Sequence, residues 1–99
     1  MKGVVYKLYC KDLAIKEIYV GSSMNINQRI DCHKNVCNNS HSIDYNMKVY
    51  KFIRANGGWF NWAYDILEEC EVKDKEDLVL NYERKYQLEL VRKLYTSEK

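Results

Sequence analysis

The sequence predicts an α/β (α+β) domain with its elements in the order β-β-α-α-β-α, and three observations carry that expectation. Residues 4–10 and 17–21 are dense in Val, Tyr and Ile around a short, partly polar stretch, which reads as a β-hairpin. Residues 59–67 alternate, with Phe60, Trp62, Tyr64 and Ile66 set against Asn61, Ala63 and Asp65, as a strand does. Elsewhere the apolar residues recur at steps of three and four, the interval of a helix. A length of 99 residues suits one domain of the usual size, about 100 to 150 residues, so a single unit over 1–99 is expected.

Each element has its own local reason. In the first strand Val4, Tyr6 and Leu8 face one way and Val5, Lys7 and Tyr9 the other, and Gly21-Ser22-Ser23 closes the second strand. Asn25 with Gln28 three residues on has the form of a capping box. It opens a helix whose inward positions step by four, three and four through Ile26, Ile30, His33 and Cys37. Asn38-Asn39-Ser40 breaks that helix. A second is expected from Ser42 or Asp44, with Tyr45, Val49, Phe52 and Ile53 inward, until Gly57-Gly58 stops it. After the third strand, Asp74 to Asp77 gives an acidic first turn, and Val79, Tyr82, Tyr86, Leu90 and Leu94 form a helical stripe.

Composition narrows the function classes. Nine tyrosines make the expected core polar at its edges, since each hydroxyl needs a partner or water. The net charge of +2 is small, but residues 1–54 hold nine Lys or Arg against four Asp or Glu, and residues 55–99 seven against ten. A basic front half can face phosphates while the acidic half turns outward; an ordinary mixed surface is the alternative. The four cysteines lack regular spacing, and there is neither a signal-peptide pattern nor a run near 18 apolar residues. An intracellular, reduced setting without a membrane anchor is expected.

Several polar groups sit where apolar ones are expected. Arg29 and His33 lie four apart at the margin of the buried face of the first helix, pointing toward the sheet. A guanidinium there can fork onto two phosphate oxygens and hold the charge that grows as phosphorus is attacked. Glu83 lies among the apolar positions Val79 and Tyr86, so its carboxylate needs compensation, either by a hard divalent cation such as Mg²⁺ or by a salt bridge to Arg29 or Lys7. Tyr6 and Tyr19 fall on paired strands just before Arg29; strand tyrosines are ordinarily packing, and a base role requires lowering a pKa near 10. Cys32, His33, Cys37 and His41 carry zinc-ligand atoms, but Cys32 and His33 point about 100° apart on a helix, and buried free thiols are expected instead.

Read in order, Val4-Val5-Tyr6, Tyr19-Val20-Gly21-Ser22-Ser23, Arg29 with His33, and Glu83-Arg84-Lys85-Tyr86 resemble the GIY-YIG nuclease family over nearly the whole chain. His41-Ser42, Asn56-Gly57, Ile66-Leu67-Glu68-Glu69 and Lys75-Glu76-Asp77-Leu78 are similar to segments of the catalytic domain of phage intron homing endonucleases. The resemblance implies a small central antiparallel three-stranded sheet flanked by helices, and hydrolysis of DNA phosphodiester bonds with one divalent ion, Mg²⁺ or Mn²⁺. It further implies that Tyr6 is general base or holder of the attacking water, that Tyr19 orients water or phosphate, and that Arg29 stabilises the pentacovalent phosphate. His33 would assist by hydrogen bonding or proton transfer, and Glu83 would be the protein's sole metal ligand. Gly21 would keep the backbone open beside the phosphate, with His41 a further polar participant. The first motif departs in placing Gly3 one position early, and no asparagine follows residue 86. With no zinc finger or helix-turn-helix pattern, targeting falls to a homodimer, a separate targeting protein or substrate shape. An inactive nucleic-acid-binding or protein-interaction module on the same scaffold is the alternative function.

Overall fold

In the computed structural model, which describes residues 1–89, the elements follow the expected order. Strand β1 spans Lys2–Cys10 and β2 Ile18–Ser23; helix α1 spans Ile26–Asn38 and α2 Lys48–Ala55. A 3-10 turn at Trp59–Asn61 leads into β3, Trp62–Glu71. Helix α3, Lys75–Leu78, runs on through a π-helical turn, Val79–Glu83, into α-helical residues 84–89. Leu90 and Leu94 of the expected stripe lie outside the described residues. Among the described residues no helix is long and apolar enough to cross a membrane.

The strands form one antiparallel sheet in the order β2-β1-β3. β1 takes the centre and is apolar on both faces, as a strand covered on both sides must be. Its consecutive residues Val5 and Tyr6 have no exposed surface yet belong to different cores, and a bulge beside them lets β3 skip Leu67 in the pairing. On one face Tyr6, Leu8 and Cys10 pack with Cys37 of α1, Tyr50 and Ile53 of α2, and Trp62. On the other, Val5, Val20 and Val72 close around Leu78, with Tyr82 and Tyr86 packed against them.

Local chemistry sets the boundaries. The Asn25 side chain caps α1 by accepting from the Gln28 amide at 3.2 Å. The reciprocal half of the expected box is replaced, because the Asn25 amide donates to Ser23 Oγ at 3.0 Å. Helix α2 starts later than expected, at Lys48, because residues before it hydrogen-bond as successive turns: Ser42 donates to Asn39, Tyr45 to Ser42, and Met47 to Asp44. Arg54 holds those turns, donating to the carbonyls of Tyr45 and Cys37 at 2.6 and 2.9 Å, with its guanidinium 3.6 Å from the Tyr45 ring centre. The stop at Gly57-Gly58 is as expected, with φ of 98° and 80°, and the Gly58 amide caps Ile53.

The alternation at 59–67 marks a strand, but it begins only at Trp62 and continues to Glu71. Phe60 falls in the 3-10 turn and is 76% exposed. Tyr64 and Ile66 are also exposed, because β3 is an edge strand and on their face of it Trp62 is the covered residue, with Phe52 at 5.9 Å between ring centres.

Leu78, outside the stripe read from the sequence, is the anchor of the second core. It has no exposed surface, and a Cβ at Gly3 would lie 2.8 Å from it, so Gly3 gives it room. Leu78→Ala is expected to cost about 2–5 kcal/mol, the usual range for a truncated core leucine. In a domain of this size that lowers the melting temperature by roughly 10 °C or more, measurable by circular dichroism.

Candidate functional site

His33 lies at the centre of the candidate site. α1 turns it into the core, where it is wholly buried, past the margin expected from the sequence. Its Nε2 is 2.6 Å from the Tyr6 hydroxyl, and its Nδ1 is 2.8 Å from the Tyr50 hydroxyl. The ring of Tyr19 meets it edge-on at 5.8 Å, and Trp59 stacks on it at 6.3 Å. Arg29, one turn earlier on α1 and partly exposed, faces the Tyr6 hydroxyl. Tyr6, Tyr19, Arg29 and His33 are therefore brought together, on the face that β1 and β2 share: Tyr6 pairs with Gly21, and Leu8 with Tyr19.

Burial settles the protonation of this cluster. The imidazole is pushed down to about 4, first by loss of water and then by the Arg29 charge. Tyr6 is pushed up to about 12, with burial outweighing the pull of Arg29, and Tyr50 rises to about 12 mainly through burial. At neutral pH all three are uncharged. Arg29 stands near enough to Tyr6 to pull its pKa down, and the direction of the 2.6 Å bond between the Tyr6 hydroxyl and His33 Nε2 follows the tautomer of the ring. The neutral ring has a single N–H, so it donates to one of the two tyrosine hydroxyls and accepts from the other.

Gly21 is needed for a reason closer than a phosphate. A Cβ there would lie 2.6 Å from the Tyr6 hydroxyl and 2.9 Å from the Tyr19 ring, so only glycine admits both tyrosines. The next residue, Ser22, pairs with Val5 and faces the opposite side of the sheet. Its hydroxyl donates to Glu83 Oε1 at 2.8 Å. The Lys75 ammonium donates to the Ser22 carbonyl and lies 3.4 Å from its hydroxyl. Burial lowers the Lys75 pKa and nearby Arg29 adds to the effect, whereas Glu83 opposes it. Glu83 is thus compensated by a hydroxyl and the field of Lys75, in place of a salt bridge to Arg29 or Lys7. It joins the tyrosine cluster through the backbone of β2, without direct contact to Tyr6.

The π-helical turn explains how Glu83 reaches the sheet. Five residues beyond Leu78 a plain α-helix would have turned about 500°, leaving Glu83 about 140° from the core-facing side. The wider π turn, with the Arg84 amide bonded back to Val79, returns it toward β2.

Among the described residues no group of three or more His, Cys, Asp or Glu can hold a metal, and Cys10, Cys32, Cys37 and Cys70 are free thiols. This excludes the zinc arrangement there, since both nitrogens of His33 are engaged by tyrosines. It is compatible with a hard ion that takes one carboxylate and completes its shell with water and phosphate oxygens. Glu83 offers Oε2 for that purpose, an oxygen with no hydrogen-bond partner among the described residues. His41 is exposed on the turns before α2.

A family model of the GIY-YIG catalytic domain matches residues 2–95. The chain belongs to the GIY-YIG nuclease family. No curated protein and no solved structure matches it. Within this GIY-YIG domain, sequence reasoning missed Tyr50, Trp59, Ser22 and Lys75. Tyr50 had a signal, standing three residues before Ile53 on α2. Ser22 had one too, since strand alternation places it on the face opposite Gly21. Lys75 had no signal in its own spacing, because its position depends on how α3 crosses β2.

The buried imidazole makes stability depend on pH. The unfolded chain takes up its proton near the ordinary 6.5, whereas the folded one resists until about 4. Stability from this group is whole above the upper value and is lost as pH falls through the window, by on the order of 3 kcal/mol. Urea midpoints above, within and below the window, with an NMR titration of His33, check this; an imidazole titrating at its ordinary value would refute it.

Proposed function

We propose that this domain hydrolyses DNA phosphodiester bonds, as an endonuclease dependent on one divalent ion, Mg²⁺ or Mn²⁺. The observation that carries the reading is the pairing of Arg29, which makes no ion pair within 4 Å among the described residues, with a Glu83 carboxylate tethered by Ser22 across the same strand end. A cation and a carboxylate left without each other on the two sides of one strand suit a phosphate and its metal.

Hydrolysis needs a water aligned with the bond to be broken and a cation for the charge that accumulates on phosphorus. Arg29 supplies the cation, beside Tyr6 at the end of α1's first turn. Tyr19, partly exposed beside it, orients water or phosphate. Tyr6 is fully buried and protonated at neutral pH, so its first task is to fix His33; acting as base requires a cation that brings its pKa down. His33 assists through its hydrogen bonds to Tyr6 and Tyr50. Glu83 would hold the divalent ion, which when bound supplies neutralisation of the phosphate and a more acidic water.

Supercoiled plasmid tests the reading. The wild-type chain is expected to nick or linearise it in Mg²⁺ or Mn²⁺ and to stop when the metal is chelated. Arg29→Ala should slow cleavage by about 10²–10³-fold, the usual effect of removing a group that stabilises transition-state charge. Glu83→Gln should abolish it, with both variants melting close to wild type. Plasmid left intact by pure protein, together with salt-dependent DNA affinity that Glu83→Ala does not change, would instead identify a binding module without turnover.

A further inference from the structure

A cleft of about 560 Å³ opens between the first turns of α1 and Lys75 of α3, across the end of β2. Its walls carry two charged side chains, Arg29 and Lys75, both cations. Neither makes an ion pair within 4 Å among the described residues. Asn25 and Gln28 add amide groups, and Met24 and Cys32 add surface on which a sugar can rest.

Two positive groups facing one recess raise its affinity for an anion, with Glu83 offsetting Lys75 from the other side of Ser22. The fold holds Lys75 there, with its ammonium fastened to the Ser22 carbonyl and reaching the same hydroxyl that binds Glu83. A guanidinium forks onto two oxygens of a phosphate, and an ammonium adds a point charge, so the recess has the chemistry of a phosphodiester site. We propose that this cleft is a subsite for the DNA phosphate next to the one that is cut, with Lys75 as its positioning residue. The assignment rests on the nuclease reading of the same site. Lys75 anchors the neighbouring phosphate, Arg29 spans the two, and Ser22 ties that anchor to Glu83, so that strand position and the carboxylate are set by one serine.

Two measurements on the whole chain test this. In the first, short duplex DNA is bound in chelator over a range of salt. Lys75→Met is expected to reduce the slope of log affinity against log salt by about 0.9, the value of one phosphate contact, and Lys75→Arg to restore it. In the second, inorganic phosphate is titrated into wild type and should shift the Arg29 and Lys75 side-chain NMR signals together. A folded Lys75→Met chain with the wild-type slope overturns the subsite, as do signals unmoved by phosphate, which need no variant to fold. Cleavage that persists with either of those results leaves the nuclease reading standing without the subsite. Phosphate-dependent shifts and the changed slope without plasmid cleavage support the anion site and refute the nuclease reading alone.

Discussion

His33 is completely buried, and both ring nitrogens are committed, to Tyr6 on β1 and to Tyr50 on α2. A buried nitrogen left without a partner costs about 1–3 kcal/mol, so the three elements that meet at the ring cannot slide independently. The rest of the site follows from that lock. With α1 fixed in rotation, Arg29 stands one turn away, near enough to Tyr6 for its charge to act on the hydroxyl. With β1 fixed in register, Tyr6 lies across Gly21, and the Tyr19 ring fills the space that a side chain at Gly21 would need. The same ring that holds two layers together therefore orients the groups exposed to a substrate, and a change to it acts on stability and chemistry at once.

The alternation of β2 divides the functional groups between two faces. Tyr19 and Gly21 look toward α1, while Val20 and Ser22 look toward α3. Because β2 is an edge strand, α1 and α3 both reach its end, and a cleft forms there with one cation from each. An interior strand would have kept Arg29 and Lys75 apart behind paired backbone. The sheet order thus permits a site assembled from opposite faces, and the order follows from β1 being the strand apolar on both sides.

Much of this was legible in the chain. The element order, the Asn25 cap, the Gly57-Gly58 stop and the family all stand on short-range patterns, which sequence preserves. Tyr6, Tyr19, Arg29 and His33 could be named for the same reason, although the depth of His33 could not, since its burial depends on α2 closing over it. What was misjudged came from long-range partners. Tyr45 has an inward spacing, but Arg54 pins its turn and delays α2; Phe60 continues an alternation that no covering element rewards. Leu78 stands four residues before Tyr82, as regular a spacing as that of Val79 three before it, and which of the two is buried depends on how α3 packs on β1, a long-range contact.

The broken period of the last helix couples its winding to the aim of its acid. The π turn between Leu78 and Glu83 amounts to one residue beyond an ordinary helical path, and it decouples the stretch that seats the protein from the stretch that presents the acid. Winding those five residues as a plain α-helix would keep Leu78 in place and swing the carboxylate to about 140° from the core-facing side, whereas four α-helical residues would bring it back to about 40°. Residue count and winding are therefore coupled along this stretch: a five-residue spacing between core anchor and acid demands the wider turn, and a four-residue spacing would demand its loss.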